Sequence, residues 1–395
     1  MPLENKIYWR LSGFYFFYFA SVGTLFPYLG LFLQSNDYSS QQIANVFAVI
    51  MGTKIIAPYI WGWLADHSGK RMLIIRVASL FSIICFSGIF YSYDYLWLML
   101  CMVGFSFFWN ANLPQFEAVT FSHLGKDSHR YSAIRLWGSL GFVLLVAVIG
   151  GLLEQYDVGI LPVIILFLLL AIWFFSFVSP DKAVPAPENG RQSIVGVLFK
   201  PHVVLFFLIC LLLQASHGPY YAFFSIYLEE NGYSRTVIGQ LWALGVLAEV
   251  LIFMVMHRLL PRVGASKLLA IALLLTAIRW VLIGNYVDST GIIFVAQLLH
   301  AASFGVYHAS AIHLVNEFFP GQFQGRGQAL YSSMSFGAGG AAGAYYSGKT
   351  WDSLGASWTF DIASGLAAVA LMMSLIFIVQ YRRLEILAID PHKNQ

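Results

Sequence analysis

The stretch Gly62-Trp63-Leu64-Ala65-Asp66-His67-Ser68-Gly69-Lys70-Arg71 decides the fold. It is a short polar turn set between two long apolar runs. Gly69 suits a tight turn, because glycine reaches left-handed backbone at no steric cost. Gly62 permits close helix packing, Asp66 can cap a helix or pair with a basic residue, and Lys70 and Arg71 make the turn positive. The flanking runs, 41–64 and 72–91, are each long enough to cross a bilayer, which takes about 20 mostly apolar residues. Working outward, ten more such runs appear: 11–33, 96–120, 131–153, 159–178, 202–228, 236–256, 268–286, 291–315, 328–348 and 356–380. Ten-residue segments of alternating polarity, the mark of barrel strands, are missing. The first run is too long for a signal-peptide core and lacks a small-residue cleavage site, so it reads as a retained helix.

Composition agrees. Only 22 Lys and Arg and 19 Asp and Glu occur in 395 residues, about 10% charge, against 59% hydrophobic residues. A soluble domain carries roughly 25% charge, so this chain could not cover a soluble surface. The same figures exclude a disordered chain and a nucleic-acid-binding protein. Cys85, Cys101 and Cys210 lie within apolar runs and read as small fillers, not as a disulfide framework.

Most Lys and Arg fall at the termini or in even-numbered connections: Lys6 and Arg10, Lys70 and Arg71, Lys126 and Arg130, Arg258, Arg262 and Lys267, Arg382 and Arg383. Odd-numbered connections hold only Arg235 and Lys349. The positive-inside rule then places both termini in the cytoplasm. Residues 181–201, with Pro185, Pro187, Glu188 and Arg191, read as a cytoplasmic linker between an N-terminal six-helix bundle (1–180) and a C-terminal one (202–395). A weak repeat supports the division: Leu64-x4-Gly69 with Lys70 is echoed by Leu259-x4-Gly264 with Lys267. The expected fold is therefore all-α, with twelve transmembrane helices in two pseudo-symmetric bundles.

Ionisable groups at bilayer depth cost several kcal/mol and mark pathways or relays. Here they are Lys54 in the second span, Glu117 in the fourth, Arg135 in the fifth, Glu249 in the eighth and Arg279 in the ninth, with His217 in the seventh and His300, His308 and His313 in the tenth. Asn110, Pro114 and Glu117 share one helix face, as do Trp242, Gly245 and Glu249. Glu117 and Arg135 stand toward the ends of their spans, where an interfacial position is the alternative reading. Glu249 is mid-span, where the alternative is a neutral, hydrogen-bonded acid. His308 and His313 read first as packing or inner-mouth residues. Three histidines on one helix suggest a metal, but 300, 308 and 313 do not share a face at ligand spacing.

The loop at 62–71 resembles the signature of the major facilitator superfamily, G-x-L-a-D-x-x-G-[KR]-[KR], in the position after the second span. Residues Gly62, Asp66, Gly69, Lys70 and Arg71 would then form a conformational latch. Longer patterns resemble the phenylpropionate permease family, a relative of the galactoside:proton symporters. They are Gln214-Ala-Ser-His217-Gly-Pro-Tyr220-Tyr221, Leu241-Trp242-Ala-Leu-Gly245-Val-Leu-Ala-Glu249, Arg279-Trp280, Gln297-Leu-Leu-His300 and Arg135-Leu-Trp137-Gly138. The resemblance implies a substrate pair in Glu117 and Arg135, and a proton-coupling group in Arg279 and His300.

The departures from the galactoside pattern shape the expectation. Its protonated carboxylate three residues after the His is Ser303 here, and its eighth-span carboxylate position holds Val246; Glu249, one turn on, is the available replacement. Gln297 stands where that family has a Lys. The sugar-stacking Trp is Phe142, which argues against a galactoside.

Two carboxylates then face three cations, which suits an anionic, planar substrate. The expected function is proton-coupled symport of a small aromatic carboxylate, such as 3-phenylpropionate, by alternating access in a bacterial inner membrane. Lys54, Arg135 or Arg279 would bind the carboxylate. Phe142, His217, Tyr220, Tyr221 and Trp242 would line the site, and Glu249 would carry the proton, because burial disfavours the charged form of a carboxylate. No cofactor or metal is expected; the partners are the substrate, the proton and the lipid bilayer, with the chain monomeric. Oligosaccharide or nucleoside symport is the nearest alternative. An enzyme is disfavoured: Gly337-Ala-Gly339-Gly-Ala-Ala342 nearly fits a dinucleotide fingerprint but follows no strand, and reads as small residues for helix packing.

Overall fold

The computed structural model describes residues 5–182 and 194–389. Pro185, Pro187, Glu188 and Arg191 of the expected linker lie outside the described residues. The described residues are all-helical: α1 (Asn5–Ser35), α2 (Ser40–Ser68), α3 (Arg71–Ser87), α4 (Tyr95–Leu124), α5 (Tyr131–Gln155), α6 (Leu161–Val178), α7 (Pro201–Glu230), α8 (Arg235–Val263), α9 (Ala265–Asn285), α10 (Thr290–Phe318), α11 (324–354) and α12 (Ala356–Ile389). Among the described residues, eleven helices are long and apolar enough to cross a membrane. The exception is α11, whose run is helical but rich in Gly and Ser and wound as π-helix over Ser333–Gly339.

Those small residues have a packing role. A Cβ at Gly343 would lie 2.4 Å from the Ala215 carbonyl oxygen, and one at Gly348 would lie 2.4 Å from the Ala44 Cβ. α11 is thereby pressed between α7 and α2, as small residues allow in membrane bundles.

The packing repeats with a shift of six helices. α1 packs on α5 and α6, α2 and α3 on α4, and α3 on α6. Correspondingly α7 packs on α11 and α12, α8 and α9 on α10, and α9 on α12. The two sets meet through α1 against α7, α2 against α11 and α5 against α8.

The odd-numbered connections cluster at one end. Gln34 donates to Glu230 (2.9 Å), Ser40 to Asp352 (2.5 Å), Arg235 to the Leu153 carbonyl (2.9 Å) and Tyr233 to the Val287 carbonyl (2.7 Å). Three helices start there under side-chain caps from Ser39, Asp94 and Ser234, satisfying orphan N–H groups. At the other end Asp66 pairs with Arg71, Arg71 also donates to Gln115, and Gly69 closes α2 at φ +65°.

Two spans depart from regular α-helix. α7 breaks at His217, between Pro201–Ser216 and Gly218–Glu230. There a Cβ on Gly218 would lie 2.1 Å from the Gly343 backbone. α10 is π-helical over Ala301–Val306. The wider turn brings His300 and His308 onto one face, with the Phe304 ring between them and so not at ligand spacing.

Candidate functional site

Arg279 of α9 is wholly buried. Its Nε donates to the Ala296 carbonyl (2.9 Å), Nη1 to His300 Nδ1 (3.1 Å) and Ser303 Oγ (2.8 Å), and Nη2 to Gln297 Oε1 (2.9 Å). Every acceptor comes from α10. The guanidinium also lies over the rings of Tyr220 and Trp280, at 4.3 and 4.7 Å. Four of its five N–H groups are thus engaged, so Arg279 holds the site together and has little left for a ligand.

The contact passes on through His300. Its Nδ1 accepts from Arg279, which leaves Nε2 carrying the proton in the neutral ring. Nε2 stands 3.5 Å from Glu249 Oε2 on α8. Glycines permit the approach: a Cβ at Gly245 would be 3.4 Å from the His300 ring, and one at Gly305 would be 3.4 Å from Glu249 Cγ and 2.5 Å from Ile252. Guanidinium, imidazole and carboxylate form one line, with Glu249 at its more exposed end.

Aromatic rings wall this line on the α7 side. Tyr220 donates to Gln297 Oε1 (3.2 Å) and packs 4.4 Å from the Trp242 ring, and Trp242 Nε1 donates to Ser225 (2.9 Å). His217 lies edge-on to Trp280 at 4.9 Å, with Nδ1 on the Leu213 carbonyl (2.9 Å) and Nε2 unpaired. Tyr221 reaches the Phe26 ring of α1 at 5.8 Å, joining the two sets of helices.

The other cations come from α2 and α5. Lys54 is half-buried, 5.8 Å above the Phe26 ring, and makes no ion pair among the described residues. Asn110 fixes the turn before it, donating to the Ile50 carbonyl (3.1 Å) and Thr53 (2.9 Å). Arg135 is half-buried and lies flat on the Phe19 ring at 3.6 Å. Glu117 accepts instead from Tyr131, at 2.8 Å. The two spacing-matched residues therefore share a neighbourhood without a direct pair. Phe142 sits where α5 meets α1, its backbone against Gly23.

Sequence reasoning passed over Tyr131, Phe19, Phe26 and Ser225. Tyr131 is four residues before Arg135, one turn away, and that spacing was the available signal. Among the described residues no group of three His, Cys, Asp or Glu could hold a metal ion.

A model of the family described as MFS_1 like matches residues 8–362. The chain belongs to that family. It is thus a transporter of the major facilitator type and not an enzyme. Among relatives of this MFS_1 like protein, a probable 3-phenylpropionic acid transporter of Escherichia coli (strain K12) is 29% identical over 88% of the chain and 92% of its own length. A maltose permease of Geobacillus stearothermophilus is 27% identical over 82% and 83%. A crystal structure of a mutant of the nucleoside transporter NupG superposes with a TM-score of 0.83, at 16% identity, covering 94% of this chain and 99% of that one. The last likeness concerns the fold alone.

Proposed function

We propose that this transporter performs proton-coupled uptake of a small aromatic carboxylate, of the 3-phenylpropionate kind, across a bacterial inner membrane. Twelve spans, both termini in the cytoplasm, a linker over 181–201 and two six-helix halves acting as a monomer complete the reading. The observation that carries it is the division of labour among the buried cations. Arg279 is spent on α10, while Lys54 and Arg135 rest on phenyl rings with no carboxylate partner among the described residues. A desolvated cation attracts a carboxylate by charge-assisted hydrogen bonds. Phe26, Phe142, Tyr221, Tyr220 and Trp242 supply the aromatic surface for the ring, and His217 offers its unpaired Nε2.

Glu249 takes the proton in this scheme. In its charged form it is held toward His300; once neutral it releases that contact, and α8 and α10 are free to move with the substrate. With the termini in the cytoplasm, the contacts among odd-numbered connections are those of a form closed to the outside. Opening them and closing the Asp66–Arg71 end would expose the site to the other face.

The test is uptake of labelled 3-phenylpropionate into cells expressing the wild type or Glu249→Gln, with competition by aromatic acids, maltose and nucleosides. Proton-driven accumulation should disappear in the variant while exchange persists. Accumulation by Glu249→Gln refutes the carrier, and competition by sugars or nucleosides alone refutes the substrate class.

A further inference from the structure

In a regular α-helix residues eight apart differ by about 80° in direction. The π turn over Ala301–Val306 removes that offset in α10. His300, Phe304 and His308 form a column of near-parallel rings, 5.6 Å apart at 17° and then 5.8 Å apart at 19°. The column runs from the buried centre toward the end bearing the even-numbered connections. Exposure rises along it: His300 is buried, Phe304 and His308 are half-buried, and His313 one turn on is exposed.

Glu249 lies against the middle of this column. It is 3.5 Å from His300 and faces Gly305, which lies between the levels of the two histidines. His308 is its electrostatic neighbour on the open side. The two imidazoles are unlike. His300 has Arg279 on Nδ1, so that nitrogen is already taken up as an acceptor. His308 Nδ1 is 3.1 Å from Tyr331 Oη of α11, a buried phenol packed by Tyr307 and Phe336. If Nδ1–H is donated to Tyr331, Nε2 remains as the basic nitrogen. The other charged or titratable groups near the pair are His300 on the same helix, Arg135 on α5 and, behind His300, Arg279 on α9.

We propose that His308 is the group through which Glu249 exchanges its proton with the even-connection side of the membrane, and that Tyr331 positions its ring. The inference rests on Glu249 being the proton carrier. In the releasing step the Glu249 O–H bond breaks and the proton passes through water to His308 Nε2. This leaves a carboxylate and an imidazolium, and the imidazolium then returns its proton to water at the mouth. His300 takes no proton; it fixes the carboxylate.

The full-length transporter in lipid films, followed by infrared spectroscopy after a pH jump, tests this without needing the substrate. A protonated-carboxyl band absent from Glu249→Gln identifies the group. In His308→Asn its decay should slow by about tenfold or more, the low side of what a positioned acid–base group contributes. Added imidazole should restore it. Tyr331→Phe, which keeps the ring and removes only the hydroxyl, should slow decay to an intermediate degree. It serves equally if His308→Asn does not fold. If Glu249→Gln leaves the band in place, the carrier reading fails and the relay with it. If the band is Glu249 and both variants decay at the wild-type rate, or His308→Asn slows without rescue by imidazole, the relay alone fails.

Discussion

A single methyl group at Gly150 should open the end of the bundle that the odd-numbered connections close. A Cβ there would lie 2.6 Å from the Arg235 carbonyl oxygen, 2.7 Å from Tyr28 Oη and 3.2 Å from the Gly239 Cα. Two of these atoms are backbone and cannot rotate away, so α5 and α8 must part by several tenths of an ångström. Overpacking of this sort costs about 1–3 kcal/mol. Parting the helices also weakens the Thr236 amide bond to Glu154 (3.3 Å). The Arg235, Gly239 and Thr236 contacts bridge α5 and α8, so the penalty should fall on the form in which these two helices meet. It should shift the populations by about 5- to 150-fold toward the open form. The assay is electron–electron distance measurement between spin labels at Gln155 and Asn231, with the native cysteines replaced. Gly150→Ala should add a longer-distance population, and Gly151→Ala should not, because a Cβ there meets nothing within 4 Å. An unchanged distribution in Gly150→Ala would falsify the view that this glycine contact sets the closed state.

Three further outcomes follow from the site. Lys54→Met should raise KM for aromatic carboxylates about tenfold or more, the loss of one charge-assisted bond, and leave a neutral aromatic competitor unaffected; a KM unchanged for both clears Lys54 of substrate binding. Gln297→Leu removes the shared acceptor of Arg279 and Tyr220. It should cost about 1–3 kcal/mol, seen as a lowered Tm in detergent, whereas a Tm equal to wild type would mean those donors find other partners. Asp66→Asn breaks the pair with Arg71 at the other end. Being partly exposed, that pair is worth about 1 kcal/mol or less, so cysteine labelling near Gly69 should change severalfold with little loss of stability.

Much of the architecture was legible because lipid enforces it. Runs near Phe14, Ile75 or Leu169 must be apolar and long, and the turn at Gly69 must be polar. α11 was harder, since close packing selects Gly337, Gly339 and Gly343 rather than Leu or Val, and a scale of apolarity scores such a helix low. At the site, polarity inside an apolar run singled out Glu249, Arg279 and His300, and the family resemblance grouped the last two. Sequence position could not show that Arg279 gives four of its five N–H groups to α10, because three of its acceptors are a carbonyl, a serine and an amide that no charge pattern reveals. Nor does the π turn that aligns His308 with His300 leave a mark in hydrophobic period. Glu117 and Arg135 showed the limit of spacing: a phenol and a phenyl ring took the contacts that charge alone would have assigned to each other.

The engagement of Arg279 by α10 has a consequence for how the chain is made. All four acceptors of this guanidinium lie on the helix synthesised after its own. When α9 reaches the translocon alone it carries an unanswered charge, a burden of about 2.5–3.5 kcal/mol on insertion. The partners arrive some twenty residues later, with Ala296, Gln297, His300 and Ser303. α9 should therefore wait at the translocon and leave as a hairpin with α10. In this protein the order of synthesis would decide when that charge is answered, and a ribosome stalled before residue 296 should leave α9 less completely inserted than one that has released α10.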